Sequence, residues 1–143
     1  MYRRRDSKIE VFLVHPGGPF WAKQDLGAWS IPKGEYLDGE EPLGVAKREF
    51  EEETSFVPSG TFVELGDLKQ PGGKIVTAWA FEGDCNPHNL KSNTFLMEWP
   101  PRSGRHMAVP EVDRGRWYSV EDARARLLAG QRAFLDRLLQ RFR

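Results

Sequence analysis

The sequence has almost no cysteine, no excess of either charge and no long apolar run. Its single cysteine, Cys85, excludes an internal disulfide and is typical of a protein in a reducing compartment. The 21 basic and 21 acidic residues balance, so no global field draws the chain towards nucleic acid or a membrane surface. No stretch has the apolar length of a membrane span or of a signal-peptide core. We therefore expect a cytoplasmic protein without a membrane partner, and composition does not favour nucleic acid as a partner.

What is present is a chain of the size of one small domain. We expect its 143 residues to form a single domain over 1–143 that buries about two-thirds of its unfolded surface. Strand-like and helical segments alternate along it. We predict hairpins of 2–5 with 9–15 and of 62–70 with 74–82, further strands at 94–99 and 116–120, a helix from 41 to about 54, and a last helical region over 121–143 broken near Gly130. Helices among several strands predict an α/β fold in which helices pack on a sheet.

The most informative segment is the acidic run within 48–56. Residues three and four apart share one face of a helix, so Glu49, Glu52 and Glu53 should lie together. Glu51 points about 100° away and is predicted to be plain surface. Carboxylates gathered on one face repel one another and favour a divalent cation. Mg²⁺ prefers oxygen ligands and usually bridges carboxylates to substrate phosphates, which predicts metal-assisted chemistry on a phosphorylated substrate.

The spacing around this run is similar to the Nudix box, the signature of hydrolases that act on nucleoside diphosphates linked to another moiety. The matching positions are Gly34, Glu40, Arg48-Glu49 and Glu52-Glu53, within a segment spanning 34–56. The resemblance implies a Nudix-type α/β/α sandwich with a mixed sheet, in which the box forms a loop-helix-loop.

The resemblance also implies roles for the box residues. Glu52 and Glu53 would be ligands of Mg²⁺ or Mn²⁺, and Glu49 a ligand or the base that activates water. Gly34, whose backbone can adopt a positive φ in a loop around the metal, is assigned to the metal site as well. Arg48 would hold the catalytic loop and helix together through a salt bridge, and Glu40 is either its partner or a favourable charge at the helix N-terminus.

One position departs from the family pattern, because Ser55 stands where the family has Gly. If the position needs a positive φ, serine costs about 1 kcal/mol. If glycine is needed for close backbone approach, the site geometry would change. We expect the substitution to be tolerated because Ser55 is none of the proposed ligands.

Candidates outside the box have weaker signals. Lys33 could contact a substrate phosphate or pair with the acidic helix. The segment 100–111 looks like a long functional loop in which Arg102 and Arg105 could clamp phosphates, although a solvated surface loop is an equal alternative. Glu111 resembles a late carboxylate that many Nudix enzymes use as an extra ligand or base, with Glu98 as its rival.

Four tryptophans could stack on a nucleobase, but large aromatic residues usually belong to the core, and we favour the core for each. They are Trp21, Trp29, Trp79 and Trp99.

The sequence thus predicts a metal-dependent pyrophosphohydrolase. The segment 29–34 resembles dinucleoside polyphosphate hydrolases in particular, so dinucleoside polyphosphates or nucleoside triphosphates are the favoured small-molecule substrates. Two other functions stay open: a catalytically silent nucleotide sensor with the Nudix fold, and an RNA-binding adaptor that uses a basic C-terminal stripe. That stripe comprises Arg132, Arg137, Arg141 and Arg143. The oligomeric state leaves no signal in the sequence.

Overall fold

The computed structural model describes residues 1–34 and 36–142. Seven strands and three α-helices follow one another along the chain. They are β1 (Tyr2–Arg5), β2 (Lys8–Pro16), α1 (Pro42–Thr54), β3 (Val63–Lys69), β4 (Ile75–Ala80), β5 (Thr94–Glu98), β6 (His106–Pro110), β7 (Val112–Ser119), α2 (Val120–Arg126) and α3 (Arg132–Gln140), with short 3₁₀ turns at Pro87–Asn89 and Ala129–Gln131. Arg143, the last member of the predicted basic stripe, lies outside the described residues.

The central sheet is antiparallel in the order β1-β2-β7. Its first hairpin is confirmed, with Tyr2 opposite Val11. Asp6 and Ser7 turn the chain between the strands, both at positive φ (51° and 65°), as a tight two-residue hairpin turn requires.

Two further hairpins, β3–β4 and β5–β6, flank this sheet. The first is confirmed. The second corrects the prediction of a loop over 100–111, because 106–110 forms β6, which pairs with β5. Only Val109 of β6 is buried, so the strand shows no alternation of apolar and polar residues that sequence reasoning could detect. β7 also begins earlier than predicted, at Val112.

Both faces of β2 are buried, which explains its nearly continuous apolar sequence. Val11 and Leu13 pack with Ala123 of α2, with Leu127 just after α2, and with Leu138 of α3. On the other face, Phe12 and Val14 pack with Val112, Phe56 and Leu90. The C-terminal helical region is interrupted after Arg126, where the 3₁₀ turn includes Gly130, as predicted.

Two isolated bridges are parallel, unlike the strand pairs, which are antiparallel. Tyr2 of β1 bridges to Glu82, and Trp29 bridges to Leu127, so the backbone pairing includes both directions. With three helices beside these strands, the predicted α/β architecture is confirmed. Of the helices described, none combines the length and apolarity that a membrane span needs.

Candidate active site

Helix α1 presents the acidic side chains, and its two ends are well defined. Glu41 caps the N-terminus by accepting from the backbone N–H groups of Leu43 and Gly44, and Pro42 fills the first turn, where a missing N–H costs nothing. The helix ends at Ser55, whose N–H donates to the carbonyl of Glu51 at 2.7 Å.

Ser55 adopts the left-handed conformation, with φ of 67°. Its hydroxyl donates to the carbonyl of Lys91, which ties the end of α1 to the segment before β5. The position therefore requires a positive φ, and the side chain is accommodated by a hydrogen bond.

The carboxylates of α1 differ in exposure. Glu53 is buried, with only 5% of its surface exposed. The side chain of Glu49 is 21% exposed and that of Glu52 is 44% exposed. Glu51 faces solvent. Glu49, Glu52 and Glu53 form the acidic face of α1, and their carboxylates range from buried (Glu53) to accessible (Glu52).

Arg48 supplies the nearest positive charge to this face. Its guanidinium lies 3.3 Å from the Glu40 carboxylate, 3.9 Å from that of Glu49 and 3.8 Å from that of Glu52. Glu40 also accepts from the N–H of Leu37, and this bond together with Arg48 lowers its pKa. Arg48 therefore joins the loop before the helix to two of the acidic side chains.

The segment before the loop packs tightly against these carboxylates. The N–H of Lys33 donates to Oε2 of Glu53 at 3.2 Å. A Cβ at Gly34 would lie only 2.0 Å from Cγ of Glu49, so a side chain at this position would have to displace Glu49. Gly34 does not have the positive φ that was predicted for it; glycine is favoured there by its close approach to the side chain of Glu49.

A buried glutamine fixes this segment from the other side. Gln131, 3% exposed, accepts from the N–H of Ile31 at 3.0 Å and donates to the hydroxyl of Ser30 at 3.1 Å. Sequence reasoning missed Gln131, because an amide contact across 100 residues has no fixed spacing.

The electrostatics of the site favour a cation. Burial raises the pKa of Glu53 to about 7, and the charges of Glu49 and Glu111 add to the rise against the opposing effect of Lys33. Burial followed by the charge of Glu52 also raises the pKa of Glu49. Negative charge in the site is therefore only partly compensated by the protein.

The carboxylates of this site are potential ligands of a divalent metal. In the part of the chain that the structure describes, no three His, Cys, Asp or Glu side chains are arranged closely enough to hold a metal ion. The chemistry of the donors nevertheless fits Mg²⁺ or Mn²⁺, since carboxylate oxygens are their preferred ligands and a buried carboxylate with a raised pKa gains from a cation.

A cleft of about 890 Å³ opens beside α1. Its lining includes Lys33, Gly34, Glu49, Glu53 and Glu111, so the structure brings these predicted residues together. Glu52 and Arg48 lie on the same helix at the more exposed side of the acidic face.

The structure distinguishes Glu111 from Glu98, the two candidates for the late carboxylate. The backbone of Glu111 is held between β6 and β7 by hydrogen bonds with Gly17 and Asn93, and its charge acts on Glu49 and Glu53. Glu98 instead accepts from the N–H of Arg102 in the β5–β6 connection and is absent from the cleft lining.

Four of the other predicted cations lie away from the cleft. Arg102 and Arg105 are exposed residues of the β5–β6 connection and do not line the cleft. Arg137 donates to the carbonyls of Leu65 and Asp67, and Arg141 donates to the carbonyl of Glu64. These two members of the basic stripe are therefore engaged by β3.

Comparisons with known proteins agree with this architecture. A family model described as NUDIX domain matches residues 2–141. A comparison with curated proteins found no match.

Solved structures with similar folds share little sequence with the chain. A binary complex of Caenorhabditis elegans Ap4A hydrolase is 20% identical, with a TM-score of 0.66, over 99% of this chain and 92% of that one. The NUDIX domain of Shewanella oneidensis NrtR, complexed with ADP ribose, is 16% identical, with a TM-score of 0.65, over 99% and 83%. A mutT/nudix family protein of Listeria innocua is 16% identical, with a TM-score of 0.60, over 99% and 88%.

Proposed function

Because the family model spans residues 2–141, the chain belongs to the Nudix family of hydrolases, and we propose that it is a metal-dependent pyrophosphohydrolase of nucleoside polyphosphates. The observation that carries this proposal is the cleft in which Glu49, Glu53, Glu111 and Lys33 meet. The reaction would transfer a phosphoryl group to water, breaking one phosphoanhydride bond of the substrate.

Glu49, Glu52 and Glu53 are the proposed metal-binding side chains, and Gly34 completes the site by allowing the loop to approach Glu49. A bound Mg²⁺ or Mn²⁺ would lower the pKa of a coordinated water and offset charge on the phosphoryl oxygens.

Other side chains would bind the substrate, accept a proton and position the loop. Lys33 places an ammonium at the cleft, where it can hold a substrate phosphate. Glu49, whose pKa is raised by burial, or Glu111 accepts the proton of the attacking water. Arg48 keeps the loop and α1 in register through Glu40. Arg102 and Arg105 would reach substrate only if it extends beyond the cleft.

The favoured substrates are dinucleoside polyphosphates and nucleoside triphosphates. Support comes from the segment 29–34 and from the fold shared with an Ap4A hydrolase, while the structure complexed with ADP ribose keeps that compound among the candidates. A cleft of about 890 Å³ lies in the range that nucleotide-sized ligands occupy. We also infer a cytoplasmic location, which rests on the single cysteine.

Product analysis tests the proposal. The protein is incubated with Mg²⁺ or Mn²⁺ and with diadenosine polyphosphates, nucleoside triphosphates, ADP-ribose and nucleotide sugars. We expect metal-dependent cleavage of one class well above the others. Nucleotide binding without any product would instead support the silent sensor.

The late carboxylate is tested with a matched pair of variants. Glu111→Gln should lower kcat, whereas Glu98→Gln should leave it unchanged because Glu98 lies outside the cleft. Equal effects of the two substitutions would remove Glu111 from the reaction.

A further inference from the structure

We infer that Trp79 is the nucleobase-stacking residue of this site, an assignment that rests on the proposed function and adds to it the recognition of the base. Trp79 belongs to β4, where it lies between the buried residues Ala78 and Ala80. Because side chains alternate across a strand, Trp79 shares the opposite face with Ile75 and Thr77. All three line the cleft that also contains the carboxylates of α1.

Within the part of the chain that the structure describes, the indole of Trp79 lacks the hydrogen-bond or ring partners that three other tryptophans have. Trp29 is buried and donates to Asp25, and Trp117 donates to the carbonyl of Cys85. Trp99 packs edge-on against Phe20. Among residues 1–34 and 36–142, by contrast, no hydrogen-bond acceptor and no aromatic ring is paired with Trp79. Since a tryptophan within a fold usually finds a partner for its N–H, this partly buried indole at the cleft is available to a ligand.

An apolar cavity of about 110 Å³ adjoins the cleft. Trp79, Thr77, Ile31, Pro32 and Ala46 line both spaces. Trp79 therefore borders both the apolar cavity and the cleft.

The chemistry of the cleft indicates which kind of ligand would contact Trp79. One side offers an indole face and the exposed aliphatic side chain of Ile75, and another offers Lys33 with the acidic side chains. A ligand with an aromatic base and a polyphosphate chain satisfies both sides. Stacking is tolerant of base identity, because every base has a π-face, so we expect Trp79 to select for a base in general.

The test compares a nucleotide with its abasic counterpart. KM and kcat are measured for the nucleotide that is hydrolysed fastest and for the ribose phosphate bearing the same phosphate chain. Trp79→Leu should raise KM for the nucleotide about tenfold or more and leave KM for the abasic compound unchanged. Trp99→Leu, at an indole outside the cleft, should change neither. Equal changes for both substrates, or none, would overturn the assignment.

Binding of AMP provides a second measurement that needs no turnover. AMP should quench the tryptophan fluorescence of the wild type and of Trp99→Phe, and the quenching should be lost in Trp79→Phe, which keeps an aromatic ring and preserves the packing. Quenching that persists in Trp79→Phe would contradict the inference. If no nucleotide is hydrolysed but Trp79-dependent AMP binding is seen, the proposed function fails and the assignment of Trp79 stands.

Discussion

At the scale of single residues, Glu53 links stability to pH and to metal. Its folded pKa is raised by burial from 4.5 to about 7, so the folded state binds this proton more tightly than the unfolded state does. The contribution of Glu53 to stability is therefore full below pH 4.5, falls as the pH rises from 4.5 to 7, and is lost above 7. Each pKa unit corresponds to about 1.4 kcal/mol, so the loss is roughly 3 kcal/mol.

We expect Glu53→Gln to be more stable than the wild type at pH 8 without metal, and to lose this pH dependence. Mg²⁺ should raise the Tm of the wild type at pH 8 and leave that of Glu53→Gln almost unchanged. Thermal unfolding at pH 5 and pH 8, with and without Mg²⁺, measures both effects. A Tm of the variant below that of the wild type at pH 8 would show that the buried charge of Glu53 does not destabilise the fold.

Ser55 supports a second prediction at this scale. Ser55→Gly removes about 1 kcal/mol of left-handed strain and also a hydrogen bond of similar size to Lys91, so it should be nearly neutral in stability. Ser55→Ala keeps the strain and loses the hydrogen bond, so it should destabilise by about 1 kcal/mol. Chemical denaturation of the two variants separates these contributions, and equal stabilities would contradict the account.

At the scale of elements, the loop that carries Gly34 and helix α1 form one tightly fitted unit. In Gly34→Ala the new Cβ would overlap the side chain of Glu49, so the loop or the carboxylate must move. A small displacement of a group in the active site can lower kcat/KM about 100-fold. Gly44→Ala is the matched control in α1, since its Cβ meets only the flexible end of Glu41. Similar losses in both variants would argue against a special role of the Gly34 contact.

Sequence periodicity predicted the elements that carry the acidic residues, and it failed where contacts are long-range or exposure is high. The spacing of Glu49 and Glu53 follows from helix geometry alone, and both line the cleft. β6 was missed because its side chains are mostly exposed. Trp79 was expected in the core, since a sequence does not show which strand face meets a cleft.

At the scale of the whole molecule, the C-terminal segment supports the site through Gln131. Its amide holds Ser30 and Ile31, and the chain then leads to the Lys33 N–H that contacts Glu53. Gln131→Ala should destabilise by about 1–3 kcal/mol, because it leaves the Ile31 N–H without its acceptor. It should also lower kcat at temperatures where the variant is fully folded. The exposed Gln140→Ala serves as control. A loss of stability with unchanged kcat would show that Gln131 supports the fold and not the site.

The most direct test of the account is the metal-dependent turnover of three matched variants on the best substrate: Glu52→Gln, Glu53→Gln and Glu51→Gln. Each removes one charge from the same turn of α1, but Glu51 lies off the acidic face. We expect the first two to lose essentially all turnover while remaining folded, and Glu51→Gln to retain the activity of the wild type. Substantial activity in Glu52→Gln and Glu53→Gln, or an equal loss in all three, would contradict the assignment of this face as the metal-binding site.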